Sequence, residues 1–342
     1  MRKTLIRATT ATAALAIAGS AGLAQAQDQD FSDVEVPSTI RVIVAYSAGG
    51  SSDALARVTL PYVEQAIEDL SGQSTNAVVV NLPGAGGEIG WTSLANADAD
   101  GSTIGIINLP AVPIVEAARD AGYAPWLETL EPIGVNVIDP NIVRLGQDTE
   151  YDSLSEAIQA AIDEPGSVTV GADGPLSDDH LAMYALEQES GATFSFIPYP
   201  GGSPANQAFR SGEVEIGIGN VFDYLQTEES VADAAILWGS EYSMAEGVPP
   251  AGEHLGMDVG ELGSTRGFAA PTGMPEDLMN LYRAAFEDAF NNEDYQAEAR
   301  ERNITMVDPR IGDAFGDVME NQQNLVSDLL EYFEEGGYLG DE

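Results

Sequence analysis

The residues with the clearest chemical potential run from Asn81 to Gly90, read Asn-Leu-Pro-Gly-Ala-Gly-Gly-Glu-Ile-Gly. Glycine tolerates positive φ and places no side chain between its N–H and a ligand, so Gly84, Gly86 and Gly87, with Ala85 among them, can present a row of donors. The β-branched run Val78-Val79-Val80 before the loop reads as a buried strand, and Ile89 and Leu94 after it mark a short helix. A loop in that position favours an anion, because first-turn N–H groups and the helix dipole both face it. The same order occurs earlier, where Ile40 to Tyr46 leads through Ser47-Ala48-Gly49-Gly50-Ser51-Ser52 into a helix starting near Asp53. Either loop alone is more simply an ordinary βα turn. Two of them on neighbouring strands would face one cleft, and the pair favours a ligand site.

The elements that must hold these loops follow from periodicity. Leu55, Val58, Tyr62, Val63, Ala66, Ile67 and Leu70 recur at helical spacing, with Gly72 where such a helix would stop. Asp53 and Arg57 lie one turn apart on it and, at the mouth of a cleft, could hold the loop. Asn96 to Gly101 imitates a calcium loop, but its twelfth position is Ile107 where the motif needs a bidentate glutamate, so it reads as a turn before a third strand, Ile104 to Asn108. Ile133 to Val137 and Ile142 to Leu145 read as two short strands.

A second α/β pattern follows: a helix on Leu154, Ile158, Ala161 and Ile162, a strand at Val168 to Val170, and a loop ending at Ser177 that enters a helix near Asp178. Phe194 to Tyr199 is a strand whose Pro-Gly-Gly-Ser-Pro loop opens another helix. Val214 to Ile218 and Ala234 to Trp238 add strands. Pro271 to Pro275 introduces a helix to about Phe290, and a last helix carries Phe315, Val318, Leu325, Val326, Leu329, Leu330 and Phe333 on one face.

Composition bounds the chemistry. Of 342 residues, 56 are acidic and 13 basic. Arg2, Lys3 and Arg7 flank an Ala-rich apolar run, and Ala24-Gln25-Ala26 is a cleavage signal, so residues 1–26 are expected to be an export signal cut after Ala26. Three of the basic residues and none of the acidic ones lie there. The remainder holds ten arginines and no lysine, a formal charge of −46. Nucleic acid and anionic membranes are poor partners for such a surface. Without lysine there is no Walker phosphate loop and no Schiff base, and with no cysteine and only His180 and His254, transition-metal and thiol chemistry are not expected. No later run is long and apolar enough to span a membrane.

A dense carboxylate shell suits concentrated salt, where at ~1 M the Debye length is only ~3 Å and self-repulsion is screened. The melting temperature should therefore climb steeply from dilute buffer to molar KCl. A curve flat across that range counts against the adaptation.

The order of motifs resembles the tripartite tricarboxylate transporter solute-binding family, the Bug or TctC-like periplasmic receptors. Tyr46 to Asp53 followed by Ala56-Arg57 is similar to the family's first glycine loop, and Asn81 to Gly90 to its second. Asp100-Gly101-Ser102-Thr103, His180-Leu181-Ala182, Pro198 to Pro204 and Gly267 to Gly273 follow in the family's order. The resemblance implies an α/β, type II periplasmic-binding-protein fold of two lobes, with 27–133 plus 247–342 forming lobe one and 134–246 lobe two. It implies a periplasmic, monomeric receptor for a small organic carboxylate, working with a permease of large and small subunits and without a cofactor or metal. Its ligand residues would be Tyr46, Ala48, Gly49, Gly50, Ser51, Ser52 and Asp53 with Gly84, Ala85, Gly86 and Gly87, faced by Ser177, Asp178, Asp179, Gly202, Ser203 and Ala205.

This chain departs from the family pattern at Leu82, where a basic residue is common, and at Ala45, where a proline is. Glu88, Asp178 and Asp179 add negative charge near the proposed anion, which favours a monocarboxylate with a zwitterionic or neutral far end. The competing reading is a secreted hydrolase of small carboxylate esters or glycosides. It lacks a Gly-x-Ser-x-Gly elbow, and neither histidine sits in a triad context; His180 is expected to cap or pack at its helix start.

Overall fold

The computed structural model describes residues 30–335, with the backbone alone from 325 onward. The expected export segment and the side chains of Leu325, Val326, Leu329, Leu330 and Phe333 lie outside the described residues. The chain begins β1 (Thr39–Val44), α1 (Ser51–Ser71), β2 (Asn76–Asn81), α2 (Glu88–Ala95) and β3 (Thr103–Leu109). Next come α3 (Ala111–Ala118), α4 (Trp126–Thr129), β4 (Leu130–Gly146), α5 (Leu154–Asp163), β5 (Thr169–Asp173), α6 (Asp178–Ser190), β6 (Ser195–Tyr199), α7 (Gly202–Arg210) and β7 (Ile216–Asn220). It ends with α8 (Val221–Thr227), β8 (Val231–Ile236), α9 (Ala251–His254), β9 (Gly263–Pro271), α10 (Glu276–Asn291), α11 (Glu293–Glu301), β10 (Met306–Ile311) and α12 (Asp313–Glu335).

Two α/β lobes share one strand. In the first, β1 lies parallel between β2 and β3, and β9 runs antiparallel between β3 and the first half of β4. In the second, the far half of β4 pairs with β7 and β8, and β5 lies parallel between β6 and β7. The register makes the two short strands expected at Ile133 and Ile142 a single strand of 17 residues. Pro132 and Pro140 lie inside it, and register shifts bend it near Pro132 and again near Val135. Asp139-Pro140-Asn141 has the composition of a turn, yet Asp139 and Asn141 are buried. Long-range partners, described below, satisfy them there.

The α1 face packs as its spacing predicts. Leu55, Val58, Val63, Ala66 and Ile67 are buried against α10, and Gly72 ends the helix in the left-handed region with its N–H on the Glu68 carbonyl. Opposite this layer, Trp91, Trp126 and Phe315 fill a second core, while Val143, Leu154, Val170, Met183 and Ile218 form the core of the other lobe. β2 is not the buried strand its valines suggest: it is the sheet edge, and Val78 is 43% exposed. Ile89 is also exposed, its Cδ1 lying over Gly84. Ile107 lies inside β3, and the turn before it closes with the Ser102 N–H donating to Asp100 Oδ1 at 2.9 Å.

Candidate functional site

Loops leaving the carboxyl ends of β1, β2, β5 and β6 converge, the place where an open α/β sheet leaves a crevice. In the first, the buried Tyr46 donates its hydroxyl to the Gly86 carbonyl at 3.4 Å and sets its ring edge-on against Trp91. Asn81 Nδ2 donates to the Tyr46 carbonyl at 3.0 Å, so both glycine loops are fastened at one residue. Arg57 grips Asp53 through Nε and Nη2, each at 2.9 Å, and Asp53 accepts the Gly49 N–H at 2.9 Å. Burial raises the Asp53 pKa, but the bonds from Arg57, Gly49 and Asn81 outweigh it and hold the carboxyl below its usual range. Asp53 is thus a brace, and the Gly49 N–H is spent inside the loop. Gly50 starts α1 in an extended conformation, and no side chain caps the first-turn N–H groups of the helix. Ser52 Oγ accepts from Asn108 Nδ2 at 3.0 Å, and Ala48 is exposed at the rim.

The second loop is left-handed throughout: φ is 129° at Gly84, 50° at Ala85, 65° at Gly86 and 103° at Gly87. Three glycines meet that demand without strain, and only Ala85 carries a Cβ there. The Gly87 N–H closes back on the Gly84 carbonyl at 3.0 Å. Arg119 donates to the Ala85 carbonyl at 2.6 Å and pairs with Glu88 at 2.8 Å. The negative charge expected beside the anion at Glu88 is therefore matched by an arginine at the end of α3.

Across the cleft, Ser177 caps α6 by accepting the His180 N–H at 3.2 Å, and His180 Nδ1 accepts the Leu176 N–H at 3.1 Å while its ring stacks on Phe196. Burial pulls His180 down to about 4, so the imidazole is neutral at pH 7 and serves capping and packing. The loops touch. The Ser47 N–H donates to the Pro200 carbonyl at 3.3 Å, and a Cβ built on Gly50 would lie 3.8 Å from the Gly202 and Ser203 nitrogens. Ala205 is buried one turn into α7. Tyr46, Gly84 to Gly87, Gly174, Pro175 and Pro198 to Pro200 line a cavity of about 170 Å³. That is below the ~300 Å³ of drug-sized pockets and suits a ligand of a few carbons.

Behind Tyr46 lies a polar cluster that periodicity does not reveal. Asp139, on β4, takes an ion pair from Arg266 of β9 at 2.7 Å, and Arg266 also donates to Asn220 Oδ1. Asn220 Nδ2 donates to Asp178 at 3.0 Å, and Asn141 Nδ2 to Asp178 at 3.2 Å and Asp179 at 2.9 Å. Arg144 donates to Asn206 at 3.0 Å and Thr227 at 2.7 Å, and Asn206 donates to Asp223 at 2.7 Å. Two of the ten arginines among the described residues of this carboxylate-rich chain are thus buried, Arg144 and Arg266. The available signal was their sequence setting: Arg144 stands inside Ile142-Val143-Arg144-Leu145, and Arg266 just before Gly-Phe-Ala-Ala. A charge in an apolar run is buried only with partners.

Residues 63–322 match the profile of the tripartite tricarboxylate transporter family receptor, TctC. The chain belongs to that family. Among curated TctC-type relatives, the UPF0065 protein in the gbd 5′ region of Cupriavidus necator is 26% identical over 302 residues, 86% of each chain. BugT of Bordetella pertussis is 30% identical over 184 residues, 53% of this chain and 54% of its own. The structure of the periplasmic binding protein BugD aligns with TM-score 0.76 at 21% identity, covering 87% of this chain and 97% of that one. MatC from Rhodopseudomonas palustris with bound malate aligns with TM-score 0.75 at 20% identity, covering 85% and 98%. The fold is that of these two-lobed binding proteins.

The acids within this receptor set an unusual pH dependence. Burial pushes Asp139 up to about 6 despite Arg266, and burial together with neighbouring aspartates raises Asp173 and Asp179 well above the carboxylate range. Unfolded aspartate titrates near ~3.9, so between about pH 4 and 6 the native state holds more protons and stability must fall as pH rises. Asp53 works in the opposite sense, but its contribution is lost only below that window. At constant molar salt, urea unfolding should show higher stability at pH 5 than at pH 7.5; the reverse order would contradict this account of the cluster.

Proposed function

We propose that this chain is an exported, monomeric receptor that closes its two lobes on a small organic carboxylate and delivers it to a membrane permease of large and small subunits. The observation that carries the reading is the convergence of the loops after β1, β2, β5 and β6, which set Tyr46 and Gly84 to Gly87 against Gly174, Pro175 and Pro198 to Pro200 around one small cavity. Ser51, Ser52 and Gly84 to Gly86 supply backbone donors, Gly87 closes its own loop, and Tyr46, Ala48, Gly49, Gly50 and Asp53 shape the other. Ser177 to Asp179 and Gly202, Ser203 and Ala205 close the far side. Lobe one is taken as 27–133 with 247–342, and 134–246 as lobe two; the packing of Ala251 on the Val143 core argues for moving the second crossing toward Gly263. The malate bound by MatC supports a carboxylate ligand.

Mass spectrometry of what copurifies, followed by thermal titration, tests the proposal. The cognate carboxylate at a hundredfold excess over its dissociation constant should stabilise the protein by ~2.7 kcal/mol. Turnover of esters or glycosides without stabilisation by any carboxylate would overturn it in favour of a hydrolase.

A further inference from the structure

We propose that Leu176 sets the affinity of the receptor without touching its solute: it is an apolar bolt that lobe two seats in the core of lobe one when the cleft shuts. The inference rests on the two-lobed receptor reading and adds the residue that holds the closed form. Leu176 stands in the loop between β5 and α6, directly after Gly174 and Pro175, which line the cavity. Its φ is 69°. Among the described residues three others than glycine take positive φ: Ala85, with the smallest side chain, Asn303, whose short amide suits that region, and Leu176, which has neither property. A residue so strained persists only where its surroundings over-determine it, and such sites gather where a chain clamps or switches.

The surroundings are of two kinds. The backbone is fixed on both sides, since the Leu176 N–H donates to His180 Nδ1 at 3.1 Å and the Ser177 N–H to the Gly174 carbonyl at 3.2 Å. The side chain is 4% exposed, and what buries it is the other lobe. Leu176 and Leu181 belong to the core that holds Tyr46, Trp91, Val112, Ala269 and Phe315, all of lobe one, whereas Ala182, Met183 and Leu186 of the same helix belong to the core of lobe two. Thus α6 stands between two cores. The loops beside it already meet backbone to backbone: a Cβ on Gly86 would lie 2.5 Å from the Pro175 oxygen, and one on Gly174 3.7 Å from Gly86. Parting the lobes there draws Leu176 out of lobe one and into water. Its apolar surface is therefore buried in the closed form alone, and that gain biases closure in favour of the solute-holding state.

Spin labels test this on a clean background, because the chain has no cysteine. Leu127→Cys on α4 and Ile162→Cys on α5 put one exposed label on each lobe. The distance between them is read alone and with malate, succinate or acetate, beside calorimetry with the same three probes at constant molar salt. Leu176→Ala should shift the population toward longer distances and weaken whichever probe binds by at least about tenfold, since core contacts are lost from the closed form only. Leu176→Gly, which takes the left-handed turn freely, should act in the same direction if Leu176→Ala fails to fold. Leu186→Ala, in the core of lobe two on the same helix, should lower the melting temperature and leave the distances as they are. Unchanged distances in the Leu176 variants, or an equal shift in Leu186→Ala, would overturn the bolt and leave the receptor reading intact. Distances that shift as expected in a protein that binds none of the three probes would support the bolt and count against the receptor.

Discussion

Gly86→Ala lowers affinity for the copurified carboxylate by roughly 100-fold, about 2.8 kcal/mol, while Gly72→Ala leaves it unchanged. The two positions share a backbone conformation, φ +65° and +70°, so both substitutions incur the ~1–2 kcal/mol that an L side chain loses in the left-handed region. They differ in what a Cβ meets. At Gly72 nothing lies within 4 Å; at Gly86 the new atom stands 2.5 Å from the carbonyl oxygen of Pro175, on the facing loop. The chain cannot relieve that contact by moving a flexible side chain, because the obstacle is backbone. The lobes must instead stay apart, and the N–H donors of the second loop lose their ligand. Arg57→Ala should cost less than tenfold, since Arg57 braces the loops through Asp53 and Asn81 and is half exposed. Paired calorimetric titrations with melting curves separate the effects; near-native affinity for Gly86→Ala with loss for Arg57→Ala would replace the backbone cradle by a guanidinium anchor.

The second large effect is on stability. Arg266→Met should destabilise the protein by about 3–5 kcal/mol at pH 7.5, because it leaves the carboxylate of Asp139, 1% exposed, without its cation. Methionine keeps most of the apolar volume, so the loss reports charge rather than a cavity. With its guanidinium gone, Asp139 takes up a proton above the wild-type value of about 6, so the deficit should shrink as pH falls toward about 6 and level off below it. Adding Asp139→Asn to Arg266→Met should recover part of the loss, as removal of both charges is milder than removal of one. Urea unfolding at constant salt measures all three; equal losses at pH 5 and pH 7.5 would show that the guanidinium does not offset the Asp139 charge.

Much of the frame was legible because it rests on local rules. The apolar spacing from Leu55 to Ile67, the stop at Gly72, the cap at Ser177 and the left-handed demand of Gly84, Gly86 and Gly87 involve neighbours within a few residues, and periodicity with glycine chemistry reports such neighbours directly. The same locality explains why periodicity does not mark α3, α8, α11 and β10: their faces are short, and partners on other elements cover them.

Only the tertiary structure decided how the site is charged. Arg266 and Asp139 are 127 residues apart in sequence, Asn141 and Asp179 are 38 apart, and no local pattern pairs them. The same contacts carry β4 straight through Asp139-Pro140-Asn141, where composition alone argued for a turn, because a buried Arg–Asp pair and amide bonds to Asp178 and Asp179 satisfy groups that would otherwise need water. The sequence by itself determined two glycine loops able to hold an anion. The folded chain decided that a strongly acidic protein would keep two scarce arginines in its interior beside them, since burial makes each charge demand a specific partner.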